Sequence, residues 1–291
     1  MNNVSEAEKT VTIQLSGGLG NQLFQYAAAR SLAVRNNSRL IIDTGFFDSR
    51  RHRKYELHNF SINALIEGQP GQPRWRKTLQ SWLKILSAGK AGPVYSEPHM
   101  HFDPAWNSLT APITLAGYFQ SPRYFEADAD LIRSELTPPK PSDAESLRME
   151  EVLADPDSVS VHVRRGDYVT NPSTRKIYCE CTRDYYLNAL ARISGSGPVV
   201  FFSDDMAWVR NNLSVPQRQC FWVGEKSART AISDLWLMSK AKHHVIANST
   251  FSWWGAWLSK RDAGVTVAPA AWFRDANIRC DDLIPRDWLR M

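Results

Sequence analysis

Two adjacent arginines, Arg164 and Arg165, stand in the segment 162–168, which reads His-Val-Arg-Arg-Gly-Asp-Tyr. A guanidinium is planar, permanently charged and able to bind two oxygens at once, so a neighbouring pair suits a pyrophosphate. His162 lies on the same strand face as Arg164 if this segment begins in a β-strand. Asp167 follows closely, and the alternative role of the arginines is therefore a surface ion pair with this carboxylate.

A second polar segment, residues 248–254, reads Asn-Ser-Thr-Phe-Ser-Trp-Trp and joins a predicted strand to a predicted helix. Ser and Thr are common helix N-caps, so capping alone would account for Ser249 and Thr250. The first turn of a helix also presents free N–H groups and the positive end of the helix dipole, which favour phosphate. The arginines on one side and Ser249, Thr250 and Phe251 on the other would bracket a diphosphate.

A glycine-rich segment, residues 17–22, reads Gly-Gly-Leu-Gly-Asn-Gln near the start of the chain. It resembles a dinucleotide-binding fingerprint, but the third glycine of that pattern is missing. Gly18 and Gly20 would let the backbone approach a ligand closely, and the amides of Asn21 and Gln22 are predicted to point into a cleft. The alternative is a tight strand-to-helix turn with no ligand.

Two carboxylates, Asp204 and Asp205, follow a predicted strand at residues 199–202. Carboxylates at a strand end can accept hydrogen bonds from a nucleobase or a ribose, and they can also bind a metal. Because no second acidic cluster is well placed to help them, we expect no metal at this site.

The order of predicted elements explains how these segments could meet. After residue 150 strand and helix alternate five times, with strands at 158–164, 199–202, 220–223, 243–247 and 265–268 and helices at 182–193, 208–213, 228–241 and 251–259. Continuous apolar strands indicate a doubly wound parallel α/β sheet, which binds ligands at the carboxyl ends of its strands. The first half begins similarly, with strands at 11–15, 40–42 and 113–118 and helices at 21–34, 75–86 and 121–136.

The chain is long enough for two domains. Prolines at positions 138, 139 and 141 predict a linker near residues 137–150, and thus domains at 1–145 and 146–291. The net charge of +5 suits a phosphate-bearing ligand or an anionic membrane surface, whereas the basic residues are too dispersed for nucleic acid. The four cysteines match no zinc spacing. With no apolar stretch of about 18 residues, we expect a cytoplasmic protein, at most peripheral at the inner membrane.

Four segments together resemble the α-1,2-fucosyltransferases, glycosyltransferase family 11. They are residues 17–26, 162–168, 202–205 and 248–257, and they follow one another in the order of that family. The arginine segment is shared more widely among fucosyltransferases. Residues 248–257 narrow the resemblance to the α-1,2-fucosyltransferases. Eukaryotic relatives carry an N-terminal membrane anchor, and its absence predicts a member of the bacterial type.

This resemblance implies a GT-B fold, in which two Rossmann-like domains face each other across a cleft. The C-terminal domain would bind GDP-fucose, and the N-terminal domain would lie on the acceptor side. The implied reaction is an inverting transfer of L-fucose to the 2-hydroxyl of a terminal β-galactose, on an oligosaccharide or a lipid-linked glycan. It would need neither a metal nor another cofactor.

In such a reaction the acceptor hydroxyl attacks the anomeric carbon while negative charge builds on the β-phosphate. Arg164 is the first candidate to stabilise that charge, with Arg165 in support. The general base is open among His162, Asp167 and Asp43, the last of which ends a strand of the first domain. Alternative functions are a fucosyltransferase with another linkage or GDP-sugar, a non-catalytic protein that binds sugar nucleotides or glycans, and a nicotinamide oxidoreductase.

Overall fold

A computed structural model describes residues 9–48, 53–68, 92–223, 230–259 and 263–291. The helix predicted at 75–86 lies outside these residues. The chain divides into unit 1, Met1–Leu136 with Asp281–Leu283, and unit 2, Thr137–Cys280 with Ile284–Met291.

The division between the units precedes the one expected at residues 145 and 146. The helix Ala144–Leu153, capped at its start by the Asp143 carboxylate, occupies the expected linker. It packs on the helix Ala231–Met238 of unit 2, so the whole proline-containing stretch belongs to that unit.

Unit 1 is a five-stranded sheet with strand order β3-β2-β1-β5-β4, and every pair of neighbouring strands is parallel. Its elements are β1 Thr10–Gln14, α1 Leu19–Arg35, β2 Arg39–Asp43, β3 Leu65–Glu67, β4 Val94–Ser96, β5 Ile113–Ala116 and α2 Ala129–Glu135. The single helix expected at 121–136 is instead two 3₁₀ turns followed by α2. Phe125, with φ of −143°, separates those turns and interrupts any continuous helix.

Unit 2 is a six-stranded sheet with strand order β11-β10-β9-β6-β7-β8, again with every neighbouring pair parallel. Its helices are α3 Ala144–Leu153, α4 Gly166–Thr170, α5 Pro172–Ile177, α6 Arg183–Ala191, α7 Met206–Asn212, α8 Ala231–Met238 and α9 Thr250–Trp257. Its strands are β6 Val159–Val163, β7 Val199–Ser203, β8 Cys220–Val223, β9 His243–Val245, β10 Thr266–Ala268 and β11 Leu289–Arg290. All five residues of β6 are buried, as expected for a central strand covered on both faces.

Each sheet has a point where the order of its strands reverses. In unit 2 the chain runs outward from β6 through β7 and β8, then returns to place β9 on the other side of β6. In unit 1 the corresponding pair is β1 and β5. Ligands of open parallel sheets bind in the crevice at the carboxyl ends of such a pair. Among the described helices, none is both long and apolar enough to span a bilayer.

Candidate functional site

The ends of three strands meet at the reversal point of the unit 2 sheet. The main-chain N–H of Arg165, after β6, donates to Asp204 Oδ1, after β7, at 2.9 Å. The Tyr168 hydroxyl donates to the carbonyl of Asn248, after β9, at 2.9 Å. The structure therefore brings together the three polar segments of the second half that the sequence singled out.

Arg164 carries one carboxylate on each terminal nitrogen. Nη2 lies 2.7 Å from Asp167 Oδ1, and Nη1 lies 2.8 Å from Asp204 Oδ2. The guanidinium carbon also lies 5.7 Å from the centre of the Tyr168 ring. The ion pair with Asp167, the alternative considered from the sequence, is present, yet 28% of the Arg164 side chain stays exposed. The side chain is therefore partly accessible from solvent.

Arg165 is the more enclosed of the two arginines, with only 13% of its side chain exposed. Its Nη1 lies 2.7 Å from Glu180 Oε1, and its Nε lies 3.3 Å from Asp205 Oδ2. The guanidinium sits 4.1 Å from the centre of the Trp208 ring. Arg165 therefore stabilises the turn through these contacts. Neither Glu180 nor Trp208 could be predicted as a partner from the sequence, because both are distant along the chain.

Asp204 anchors the arginine turn. Its Oδ1 accepts the N–H groups of Arg165, at 2.9 Å, and Gly166, at 3.1 Å, while Oδ2 pairs with Arg164. A Cβ at Gly166 would lie 2.7 Å from Asp204 Oδ2, so a side chain there would displace the carboxylate that anchors the turn. These contacts of Asp204 are with the neighbouring turn, and a contact with a nucleobase or ribose stays a prediction.

Asp205 has a similar structural role one residue later. Its Oδ1 accepts the N–H of Trp208 at 3.1 Å and caps α7. Within the described ranges, no group of three or more His, Cys, Asp or Glu side chains is arranged to hold a metal ion.

His162 lies buried beneath this turn with only 7% of its surface exposed. Its Nδ1 has no hydrogen-bond partner among the described residues, and its ring centre lies 5.5 Å from that of Phe251. Burial, together with the nearby positive charge of Arg164, lowers the pKa of His162 to about 4. The imidazole is therefore neutral at pH 7, and its Nδ1 is a buried polar atom without a hydrogen-bond partner among the described residues.

The start of α9 faces the same reversal point. Ser249 is the N-cap residue, but its side chain makes no capping hydrogen bond. Asn248 instead positions the helix start, because its buried amide donates to the carbonyls of Cys179, at 2.7 Å, and Trp272, at 2.9 Å. Ser249, Thr250 and Phe251 are half-buried. Because the Ser249 side chain makes no capping hydrogen bond, capping does not account for its hydroxyl group.

In unit 1 the glycine-rich segment forms a tight turn into α1. Gly17 has φ of +80°, and a Cβ there would lie 2.6 Å from Asn21 Nδ2. Gly18 is the N-cap residue of α1, and Gly20 is buried within the helix. The tight-turn alternative therefore describes these glycines, and a contact with the donor stays a prediction.

The expected orientation of Gln22 is wrong, because its side chain is fully buried rather than directed into a cleft. Its Nε2 donates to the Lys54 carbonyl at 2.8 Å, and its Oε1 accepts the N–H of Glu56 at 2.9 Å. Asn21 is half-buried, and its Oδ1 accepts a hydrogen bond from Gln120 at 3.1 Å. The Gln22 amide thus fastens the 53–56 segment to α1.

The candidate base Asp43 lies at the carboxyl end of β2, where its Oδ1 accepts the N–H of Gly45 at 2.9 Å. Its catalytic role stays a prediction. The sequence reasoning missed Glu97, which follows β4 at the same edge of the unit 1 sheet. Burial raises the pKa of this carboxyl. The sequence offers no signal for Glu97, because the exposed three-residue strand before it has no recognisable hydrophobic pattern.

Two parallel α/β units, with a partly exposed arginine at the reversal point of one of them, belong to the GT-B fold class. The family model "Glycosyl transferase family 11" matches residues 101–291. An α-1,2-colitosyltransferase of Escherichia coli is 32% identical over 97% of this chain and 98% of its own length. The chain belongs to glycosyltransferase family 11, which confirms the resemblance seen in the sequence.

Other relatives extend this comparison. The O-antigen biosynthesis glycosyltransferase WbnK of Escherichia coli is 31% identical, over 90% of this chain and 95% of its own length. Galactoside α-(1,2)-fucosyltransferase 1 of Bos taurus is 25% identical, over 87% of this chain and 67% of its own length. A solved structure of an Arabidopsis thaliana FUT1 mutant in complex with GDP gives a TM-score of 0.50 at 10% identity, covering 89% of this chain and 70% of that one. At this identity the likeness concerns the fold alone, and it agrees with the GT-B class.

Proposed function

We propose that this enzyme transfers L-fucose from GDP-fucose to the 2-hydroxyl of a terminal β-galactose and forms an α-1,2 linkage. The observation that carries the proposal is Arg164, a partly exposed arginine at the reversal point of the unit 2 sheet. It lies near the start of α9, where the Ser249 side chain makes no capping hydrogen bond. Membership of family 11 and the α-1,2 linkage named for its relatives support the linkage and the reaction class.

The donor diphosphate would bind between Arg164 and the start of α9. As it stands, the arginine turn has two guanidiniums and four carboxylates within ion-pair distance, a formal excess of two negative charges. An entering diphosphate would therefore have to replace one carboxylate on Arg164. Asp204 is unsuited to this exchange, because two main-chain N–H groups hold it in place.

The same groups would stabilise the leaving group. Negative charge grows on the β-phosphate as the glycosidic bond breaks, and preorganised cations and helix dipoles stabilise such charge effectively. Arg164 and the positive end of the α9 helix dipole would supply this stabilisation without a metal. Activity that survives a chelator supports this proposal, and activity restored only by a divalent cation contradicts it.

An inverting reaction would convert the β-linked sugar of the donor into the α-linked product. The acceptor oxygen would attack the anomeric carbon from the face opposite to GDP, and a carboxylate or imidazole would accept its proton. Asp43, Asp167 and His162 are the proposed candidates for this base. The anomeric configuration of the product, measured by NMR, tests the inversion directly.

The donor sugar needs a separate test because one relative is a colitosyltransferase. Colitose lacks the 3-hydroxyl of fucose. A site that hydrogen-bonds this hydroxyl rejects the deoxy sugar strongly, by about 10⁴-fold, whereas an apolar pocket discriminates far less. Comparing kcat/KM for GDP-fucose and GDP-colitose therefore reveals both the donor and the kind of pocket.

The deciding experiment incubates the protein with each donor and with lactose-type or Galβ1,3GalNAc acceptors, followed by linkage analysis. We expect an α-1,2-linked product and its loss in Arg164→Ala. Binding of donor and acceptor without turnover would instead favour a non-catalytic glycan-binding protein, and a product with another linkage would refute the 2-hydroxyl assignment.

A further inference from the structure

The loop after β5 lies at the reversal point of the unit 1 sheet, beside the turn that follows β1. The Gln25 amide in α1 donates to the Gly117 carbonyl at 2.8 Å, which joins the loop to the helix after β1. Within the loop, Phe119 has φ of +53°. A residue with a side chain rarely adopts this left-handed conformation, and such residues cluster where a fold holds a ligand.

A carboxylate holds the loop in this conformation. Glu97 accepts the main-chain N–H of Tyr118 at 2.7 Å and that of Phe119 at 3.0 Å. A Cβ at Gly117 would lie 2.4 Å from the Cβ of Glu97, so only glycine allows this close approach. The two residues fix the path of the backbone before any ligand arrives.

The loop is also anchored by its own aromatic ring. Phe119 is completely buried, with its ring centre 5.4 Å from those of both Trp106 and Tyr124. Because Phe119 fills the core, the preceding residue is turned outward: Tyr118 is 38% exposed. Among the described residues, the Tyr118 ring contacts no other aromatic ring and its hydroxyl makes no hydrogen bond.

We propose that Tyr118 is a stacking platform for a sugar ring of the acceptor glycan. A sugar presents an apolar face of C–H groups and an edge of hydroxyls, which match the flat ring and the polar hydroxyl of an exposed tyrosine. A single exposed aromatic residue is ordinary on a protein surface. This one differs because a strained and doubly anchored loop presents it at a sheet edge where ligands bind. The inference rests on the proposed transfer to a galactoside.

The test compares Tyr118→Ala, Tyr118→Leu and Tyr118→Phe, with Val34→Ala as the control. Val34 is 40% exposed and lies in the last turn of α1, at the opposite edge of the same sheet. We expect Tyr118→Ala and Tyr118→Leu to raise the KM for a lactose-type acceptor roughly tenfold, equivalent to about 1.4 kcal/mol. Tyr118→Phe should retain most of the affinity, because it keeps the ring. The KM for the donor and the hydrolysis of the donor by water should not change.

The outcomes separate this inference from the proposed function. If the wild-type enzyme transfers sugar and Tyr118→Ala keeps a normal acceptor KM, the platform is refuted while the function stands. If the wild-type protein transfers no sugar, the proposed function fails. Saturation-transfer NMR with lactose then tests the platform alone: a signal lost in Tyr118→Ala and kept in Val34→Ala supports it, and equal signals refute it. An acceptor KM raised equally by Val34→Ala would also refute it.

Discussion

Replacing Asp204 offers the sharpest test of how the arginine turn works. Asp204→Ala removes a carboxylate that accepts two main-chain N–H groups, at 2.9 and 3.1 Å, and pairs with Arg164 at 2.8 Å. Asp204→Asn keeps an oxygen that can accept the two N–H groups, but it places an uncharged amide beside the guanidinium. The two variants therefore separate the fold of the turn from the charge on Arg164.

The magnitudes follow from these contacts. A hydrogen bond to a charged group contributes about 1.5–3 kcal/mol, and a partly exposed ion pair contributes about 1 kcal/mol or less. Because water enters the vacated space, we expect Asp204→Ala to lower the free energy of unfolding by about 3 kcal/mol and Asp204→Asn by about 1 kcal/mol. A displacement of Arg164 by about 1 Å would lower kcat/KM roughly a hundredfold in Asp204→Ala. We expect a smaller loss in Asp204→Asn.

The assay combines steady-state kinetics with varied donor and thermal unfolding of each variant. Asp184→Ala is the matched control, since its exposed carboxylate pairs with Arg183 at 3.5 Å in the same unit. A nucleobase contact would raise only the KM for the donor and leave the melting temperature unchanged. That pattern in Asp204→Ala, or wild-type kinetics with a wild-type melting temperature, would refute the anchoring role.

Three other changes test neighbouring parts of the molecule. Arg164→Lys replaces a forked guanidinium with a single ammonium, so we expect kcat to fall roughly a hundredfold in a normally folded protein; near-normal turnover would contradict its role. The pKa of His162 in the folded protein, about 4, lies below its ordinary 6.5, so the unfolded state binds more protons between these values. Unfolding free energy should therefore fall as the pH is lowered from 6.5 towards 4, and His162→Gln should weaken this dependence in urea titrations; an equal dependence would exclude His162 as its source. Glu135 pairs with Arg30 at 2.9 Å and accepts from the Tyr26 hydroxyl at 2.6 Å, both in a largely buried setting. Glu135→Ala should cost about 3–5 kcal/mol of stability, with a smaller loss in Glu135→Gln, and a melting temperature within error of wild type would refute the estimate.

The fold was most predictable where strands are central and completely covered. Strands β6 and β7 lie within about one residue of their predicted ends, because an uninterrupted apolar run is typical of a strand in a sheet with helices on both faces. The half-buried edge strand β8 is also found at its predicted position. Strands β3, β4 and β11 are two or three residues long, and most of their residues are exposed. Such short segments pair because the rest of the sheet positions them, and no periodicity marks them in advance.

The candidate site was predictable in its location and less so in its contacts. Parallel strands carry their carboxyl ends to one edge, so the meeting of segments 162–168, 204–205 and 248–251 followed from strand order. The partner of each side chain did not follow. Asp204 binds a turn that lies 38 and 39 residues earlier in the chain, and Gln22 binds the carbonyl of Lys54, 32 residues away. Such pairings depend on tertiary packing that a local pattern of residue types does not contain.

The assignment of Asp281–Leu283 to unit 1 has a consequence for engineering. Asp282 accepts the N–H of Phe102 at 2.8 Å through its carboxylate and the hydroxyl of Ser121 at 3.2 Å through its carbonyl. Unit 1 therefore includes a short segment from the last part of the sequence. The polypeptide passes from one unit to the other three times, after residues 136, 280 and 283. A chimaera that exchanges residues 1–136 at a single junction would join a foreign first unit to this closing segment. Exchanges of unit 1 within the family should therefore transplant both pieces together.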